Sequence, residues 1–206
     1  MSTIIVNTFL TLDGVAQAPG GPDEDREHTF EHGGWQVPYF SEQLGEIVGP
    51  WFAKPGALLL GRKTYEIFNA HWPHVGADHA DADMAAILNA APKFVASRTL
   101  SSVDWANSTL LSDDVPTAVK DLKSRDLGEI HVHGSIGLVQ TLMRHDLVDE
   151  YRLTVFPVVL GTGKRLFGDG TVPAGLELVS AQSTDAGVVA CVYRPAGAPS
   201  YGAYTL

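Results

Sequence analysis

Short apolar runs alternate with helical segments along most of this chain, and near the C-terminus only strands remain. That order constrains the fold more than any other feature. A strand joined to the next through a helix re-enters the sheet in the same direction, so the alternating part implies a parallel sheet with helices on both faces, and the strand-only part implies antiparallel edges. Ile4 to Leu12 is apolar and β-branched and stops at the turn pair Asp13-Gly14. Further strands are expected at Ala57 to Leu60, Lys93 to Ala96, Trp105 to Leu111 and Glu129 to His133. Glu150 to Leu160 predicts a long strand, and Leu176 to Ala181 with Val188 to Arg194 a final antiparallel pair. Helices are expected over Ser41 to Phe52 with Ser41 as N-cap, Arg62 to Ala70, Asp78 to Ala91, and Val115 to Arg125, the last punctuated by Gly128. Another begins at Ile136, where Ile136, Val139, Leu142 and Met143 share one face. Ala18 to Gly34, rich in Pro, Gly and acids, reads as a long loop. No composition break marks a second domain, so residues 1–194 are expected to form one α/β domain and 195–206 a surface tail.

Charge narrows the partners. Fourteen Lys and Arg against 24 Asp and Glu leave a formal net charge of -10, with no basic run, which argues against nucleic acid. A phosphate-bearing ligand would need a few local cations and backbone N–H groups. Cys191 is the only cysteine, so neither an internal disulfide nor a thiolate zinc site is available. The first residues lack the basic and apolar regions of a signal peptide, and no stretch approaches the roughly 18 apolar residues of a membrane span, so a cytoplasmic protein is expected.

Three turns invite an anion. Gly61-Arg62-Lys63-Thr64 follows the strand ending at Leu60 and opens a helix, which lets backbone approach a ligand and turns free N–H groups toward it. Ser97-Arg98-Thr99 leaves the strand ending at Ala96 with two hydroxyls and a guanidinium suited to a phosphate monoester. His133-Gly134-Ser135-Ile136-Gly137 joins a strand to an amphipathic helix, and Ser135 could equally be that helix's N-cap. Each motif alone is weak. Together they lie at the carboxyl ends of strands, where ligands of open α/β sheets bind, and suit a dinucleotide.

The order Thr11-Leu12-Asp13-Gly14, Gly61-Arg62-Lys63-Thr64-Tyr65, Ser97-Arg98-Thr99, His133-Gly134-Ser135, Leu153-Thr154-Val155-Phe156-Pro157 resembles the dihydrofolate reductase-like superfamily. It is most similar to the branch holding the reductase domain of the bifunctional deaminase-reductase of riboflavin biosynthesis, which the stretch Val159 to Phe167 also resembles. The resemblance implies a single-domain dihydrofolate reductase-like fold and an NADPH-dependent oxidoreductase acting on a pyrimidine- or pteridine-like heterocycle. It implies that Gly61, Arg62, Lys63 and Thr64 hold the pyrophosphate, and that Ser97, Arg98 and Thr99 recognise the adenosine ribose phosphate. His133, Gly134, Ser135, Ile136 and Gly137 would line the diphosphate from the other side, and Val15 and Ala16 would border the nicotinamide.

The proton-handling residue is open. Trp35-Gln36-Val37-Pro38 resembles the stretch that precedes the carboxylate of dihydrofolate reductases, but the expected position is Phe40. Glu42 and Glu46, one helical turn apart, and Asp13 are the candidate acids, and Thr154 would hold a polar group or water by analogy. The alternatives are dihydrofolate reduction itself and an NADPH-binding module without catalysis. His28 and His32, and His71, His74 and His79, lie in loop-like segments without a complete ligand set, so no metal is expected. His131 and His133 share one strand face, as half-exposed residues or cofactor contacts, and Trp51, Trp72 and Trp105 read as core or interface. A homodimer through Glu150 to Leu160 or the C-terminal strands is expected.

Overall fold

Ala57, Leu58, Leu59 and Leu60 are all fully buried, as an apolar run must be when helices cover both faces of its strand. They form β2 (Ala57–Gly61) in the computed structural model, which describes residues 1–111 and 114–204. The last two residues of the expected tail lie outside that range. β1 (Thr3–Thr11), β3 (Lys93–Ala96), β4 (Ser108–Leu111), β5 (Glu129–His133), β6 (Glu150–Phe156), β7 (Leu176–Ser183) and β8 (Val189–Pro195) complete an eight-stranded sheet. Its order is β4-β3-β2-β5-β1-β6-β8-β7. Neighbours from β4 to β6 run parallel, and β8 runs antiparallel to both β6 and β7. The helices are α1 (Glu42–Phe52), α2 (Arg62–His71), α3 (Ala82–Ala90), α4 (Val115–Ser124) and α5 (Ile136–Arg144).

Three cores follow from the period-two alternation of the strands. Ile4, Val6, Ile130 and Val132 face Val119 and Leu122 of α4 and Val139 and Leu142 of α5. Phe9 and Phe156, on the other face, meet Leu44 and Val48 of α1 with Phe30 of the long loop and Trp35 just after it. Leu58, Leu60 and Val95 pack with Tyr65, Leu88 and Trp105. At the entrance to β2 the chain runs so close to its neighbour that a Cβ on Gly56 would stand 1.6 Å from the Leu127 carbonyl oxygen, so only glycine fits there.

Several expected boundaries move for local reasons. β6 ends at Phe156 rather than Leu160, because Pro157 has no N–H for the ladder and the Val158 N–H folds back to the Phe156 carbonyl. It is also an interior strand between β1 and β8, so it offers no edge. β1 ends at Thr11, where Gly14 at φ 81 turns the chain. Trp105 is not part of a strand. Its indole N–H donates to Asn89 Oδ1 at 2.7 Å, and its ring lies 4.3 Å from the ammonium of Lys93. That buried lysine donates to the carbonyls of Asn89, Ala91 and Ala106. α3 begins at Ala82 rather than Asp78. β7 is the exposed edge, wet on both faces, with Leu178 and Val179 among its uncovered side chains.

Candidate active site

Two of the three anion-friendly turns are stitched together. The Gly61 N–H donates to Ser135 Oγ at 2.9 Å, and the Ser135 N–H donates to Thr64 Oγ1 at 3.1 Å. This sets the N-termini of α2 and α5 side by side at the carboxyl ends of β2 and β5. Gly134 and Ser135 both have positive φ, 51° and 49°. For serine that conformation costs roughly 1 kcal/mol, which the two hydrogen bonds offset. Ser135 is therefore not the side-chain cap that the sequence suggested: its hydroxyl serves Gly61, and α5 has no side-chain cap. Neither has α2, whereas Ser41 caps α1 and Asp114 caps α4. The first N–H groups of the two stitched helices remain available to an anion, with the positive ends of both helix dipoles behind them.

The third turn lies at the end of β3. Ser97 Oγ accepts from the N–H groups of Thr99 and Leu100, so this hydroxyl shapes the turn, while Arg98 is exposed. The long loop is tied across the first turn of α2 by charge. Lys164 Nζ is 2.6 Å from both Asp25 Oδ2 and Glu27 Oε2, and Lys63 Nζ is 3.4 Å from Glu27 Oε1. Gln17 completes the clasp, donating to the carbonyls of Asp25 and Glu27 and accepting from the Lys164 N–H.

These turns line one end of a cavity of about 1390 Å³, roomy even against the 300–1,000 Å³ typical of small-molecule sites. Gly61 to Thr64, Ser97, Arg98, Ala16 and His133 to Gly137 all lie on its wall; Val15 and Thr99 do not. At the other end α1 presents Gly45, Val48, Gly49 and Phe52, one helix face. Phe52 stacks on His133 at 5.3 Å and 21°. His133 is buried rather than half-exposed, and that burial, with His131 beside it, pushes its pKa down to about 3, so the ring is neutral. Asn7 pairs with His133 across β1 and β5, is 3% exposed, and has neither Nδ2 nor Oδ1 bonded among the described residues. A buried carboxamide with no partner is expensive unless a ligand satisfies it. Asn7 was legible as the one carboxamide in a strand otherwise made of apolar and threonine side chains. Gln36, with an unbonded Oε1 on the same wall, gave no such signal.

None of the expected acids reaches the cavity wall. Asp13 Oδ1 and Oδ2 accept from the N–H groups of Leu160 and Gly161, and Arg165 Nη2 lies 3.2 Å away. Burial alone would raise its pKa, but the Thr11 hydroxyl and these N–H groups hold it at about 2, so Asp13 is a fixed anion that ties the β1 turn to the segment after β6. Glu42 and Glu46 are exposed on the side of α1 away from the cavity, whose stripe begins at Gly45. Thr154 is buried in β6 off the wall. Among the described residues no group of three or more His, Cys, Asp or Glu is placed to hold a metal, and no helix is long and apolar enough to cross a membrane.

Comparison with known proteins agrees with the topology. Residues 2–190 match the RibD C-terminal domain family. The chain is 31% identical over 191 residues to the uncharacterized protein YyaP of Bacillus subtilis (strain 168), covering 93% of this chain and 94% of that one. Its fold is similar to a Thermotoga maritima diaminohydroxyphosphoribosylaminopyrimidine deaminase/5-amino-6-(5-phosphoribosylamino)uracil reductase, at 14% identity and TM-score 0.60 over 94% of this chain and 56% of that larger one. It is similar too to the dihydrofolate reductase of Enterococcus faecalis complexed with NADP(H), at 12% identity and TM-score 0.57 over 94% and 96% of the two chains. The fold is dihydrofolate reductase-like, and the chain belongs to the RibD C-terminal domain family.

Proposed function

We propose that this protein is an NADPH-dependent reductase of a small pyrimidine- or pteridine-like heterocycle. The observation that carries this reading is the pair of uncapped helix N-termini stitched at one end of a cavity whose other end is aromatic and neutral. The N–H groups of α2 and α5, with Arg62, Lys63 and Thr64, suit a pyrophosphate, and exposed Arg98 suits a ribose phosphate that NADH lacks. The residues therefore fit NADPH, which when bound supplies a hydride to an activated C=N or C=O group. Asn7, one donor and one acceptor edge, would orient the amide-like edge of the heterocycle. Phe52 and His133 would exclude water from one side of the ring. With Asp13 ionised and Glu42 and Glu46 outside, the proton would come from water. The assembly we propose is a homodimer through β7, since β6 is interior.

Calorimetric titration with NADPH and NADH tests the cofactor half. NADPH should bind at least about tenfold tighter, roughly 1.4 kcal/mol, and Arg98→Ala should abolish the difference. Binding of neither dinucleotide would end the reductase reading.

A further inference from the structure

The cations on the cavity wall are unevenly placed. Arg62 and Lys63 open α2, Arg98 follows β3, Arg144 ends α5, and Lys164 is held by Asp25 and Glu27. Four of the five therefore belong to the anion turns or the loop clasp, and Arg144 stands at the far end of α5. The half of the wall built by α1, the Gln36–Phe40 turn, the later turns of α2 and His133 carries no lysine or arginine among the described residues. Arg152 reaches the Trp51 carbonyl behind α1 at 3.4 Å, but Glu129 and Glu150 close it, and it is not on the wall. His133 is neutral, His71 is the other titratable group that these elements bring to the wall, and the loop beside Gln36 adds only the acids Asp23 and Glu24 besides the clasped Asp25.

Space and polarity on that half are equally particular. A Cβ built on Gly45 or Gly49 meets nothing within 4 Å, so the α1 backbone itself is the wall and the cavity is wide there. The polar groups offered are uncharged: the unbonded carboxamide of Asn7, 3% exposed, and Oε1 of Gln36. A phosphate monoester carries about −1.5 to −2 charges at neutral pH, and burying it without a cation is prohibitive. The carboxylates of a folate tail face the same obstacle, and the chain's net charge of -10 adds to it.

Resting on the reductase reading above, we infer that the substrate of this site is an uncharged, unphosphorylated flat heterocycle, broad enough to reach the α1 backbone at Gly45 and Gly49 and bound at an amide-like edge by Asn7. The phosphoribosyl pyrimidine for which the Thermotoga maritima protein is named, and dihydrofolate, are then both poor ligands because of their charge.

The test is calorimetry with 5-amino-6-(5-phosphoribosylamino)uracil and the same compound after enzymatic removal of its phosphate, each with and without saturating NADPH. The uncharged compound should bind at least about tenfold tighter. Gly45→Arg places a cation on the same open wall at a helix position that tolerates arginine better than glycine and, unlike Gly49, does not precede a proline. It should narrow or reverse the preference about tenfold while NADPH affinity moves less than about threefold. Equal or tighter binding of the phosphorylated compound by the wild-type protein, or binding of neither compound, overturns the inference. If the uncharged compound binds and NADPH does not, the reductase reading falls and the inference about charge stands.

Discussion

Gly61 and Ser135 lie 74 positions apart in sequence, yet a 2.9 Å hydrogen bond from the backbone N–H of one to the hydroxyl of the other joins two helix N-termini into one rim. The bond consumes the group that would have capped α5 and keeps serine in a left-handed conformation. A serine held there against its preference, with its hydroxyl committed elsewhere, makes sense where the N–H groups it might have capped are needed by a ligand.

Ser135→Ala should separate rim from fold. Losing the acceptor for the Gly61 N–H should lower stability by about 1 kcal/mol and weaken NADPH about tenfold. Thermal unfolding and calorimetry on the same preparation check both. An unchanged NADPH affinity would show that the stitched rim is not where the dinucleotide binds.

Asp13 should prove structural. Its folded pKa of about 2 lies below the unfolded 3.8, so its contribution is complete above pH 3.8 and is lost as pH falls toward 2. Allowing for solvent screening, Asp13→Asn should cost about 1–2 kcal/mol at neutral pH and reduce the acid sensitivity of unfolding. Turnover should stay within a few-fold with an unchanged pH profile. Loss of an ionisation from that profile would restore Asp13 as the proton source.

Lys93→Met should be among the most damaging single changes. The fully buried lysine donates to three carbonyls, those of Asn89, Ala91 and Ala106, and its ammonium lies over Trp105. A loss of about 2–4 kcal/mol in urea unfolding is expected. A loss under about 0.5 kcal/mol would mean that neighbouring side chains or water take over its role.

Glu42→Gln with Glu46→Gln should leave both NADPH affinity and turnover within about twofold, since both carboxylates stand in solvent away from the cavity. A fall beyond about tenfold in turnover alone would place one of them in the reaction after all.

The layers and most elements were readable because burial leaves a periodic trace: Leu58 to Leu60 are apolar without interruption because both faces are covered, and Ile4 and Val6 alternate toward α4 and α5. The strand ends were harder to read, since Pro157 and Gly14 act through hydrogen bonds made or missed across the sheet. The rim residues were legible because three turns that each suit an anion recur at strand ends, although the sequence left Ser135 open as a helix cap. The substrate end was not. Gly45 and Gly49 matter for what they leave empty, and Glu42 and Glu46 misled because helical spacing says which residues share a face but not which way that face turns. Trp105 read as strand because it is apolar and bulky, while the bond that places it comes from Asn89, 16 residues away.

If the proposed cofactor binds here, the clasp between Lys63, Lys164, Asp25 and Glu27 would set what its phosphate meets on arrival. Lys63 already has carboxylates within reach, so an incoming anion does not fill an empty position but replaces one neighbour with another. The strength of that step is a difference between two ion pairs of the same kind. Added salt weakens both, and at this rim affinity should respond less to ionic strength than a count of positive side chains would suggest. Lys164 would keep hold of Asp25 and Glu27 at 2.6 Å, so an exchange of partners at Lys63 would leave the 18–34 loop tied to the segment after β6.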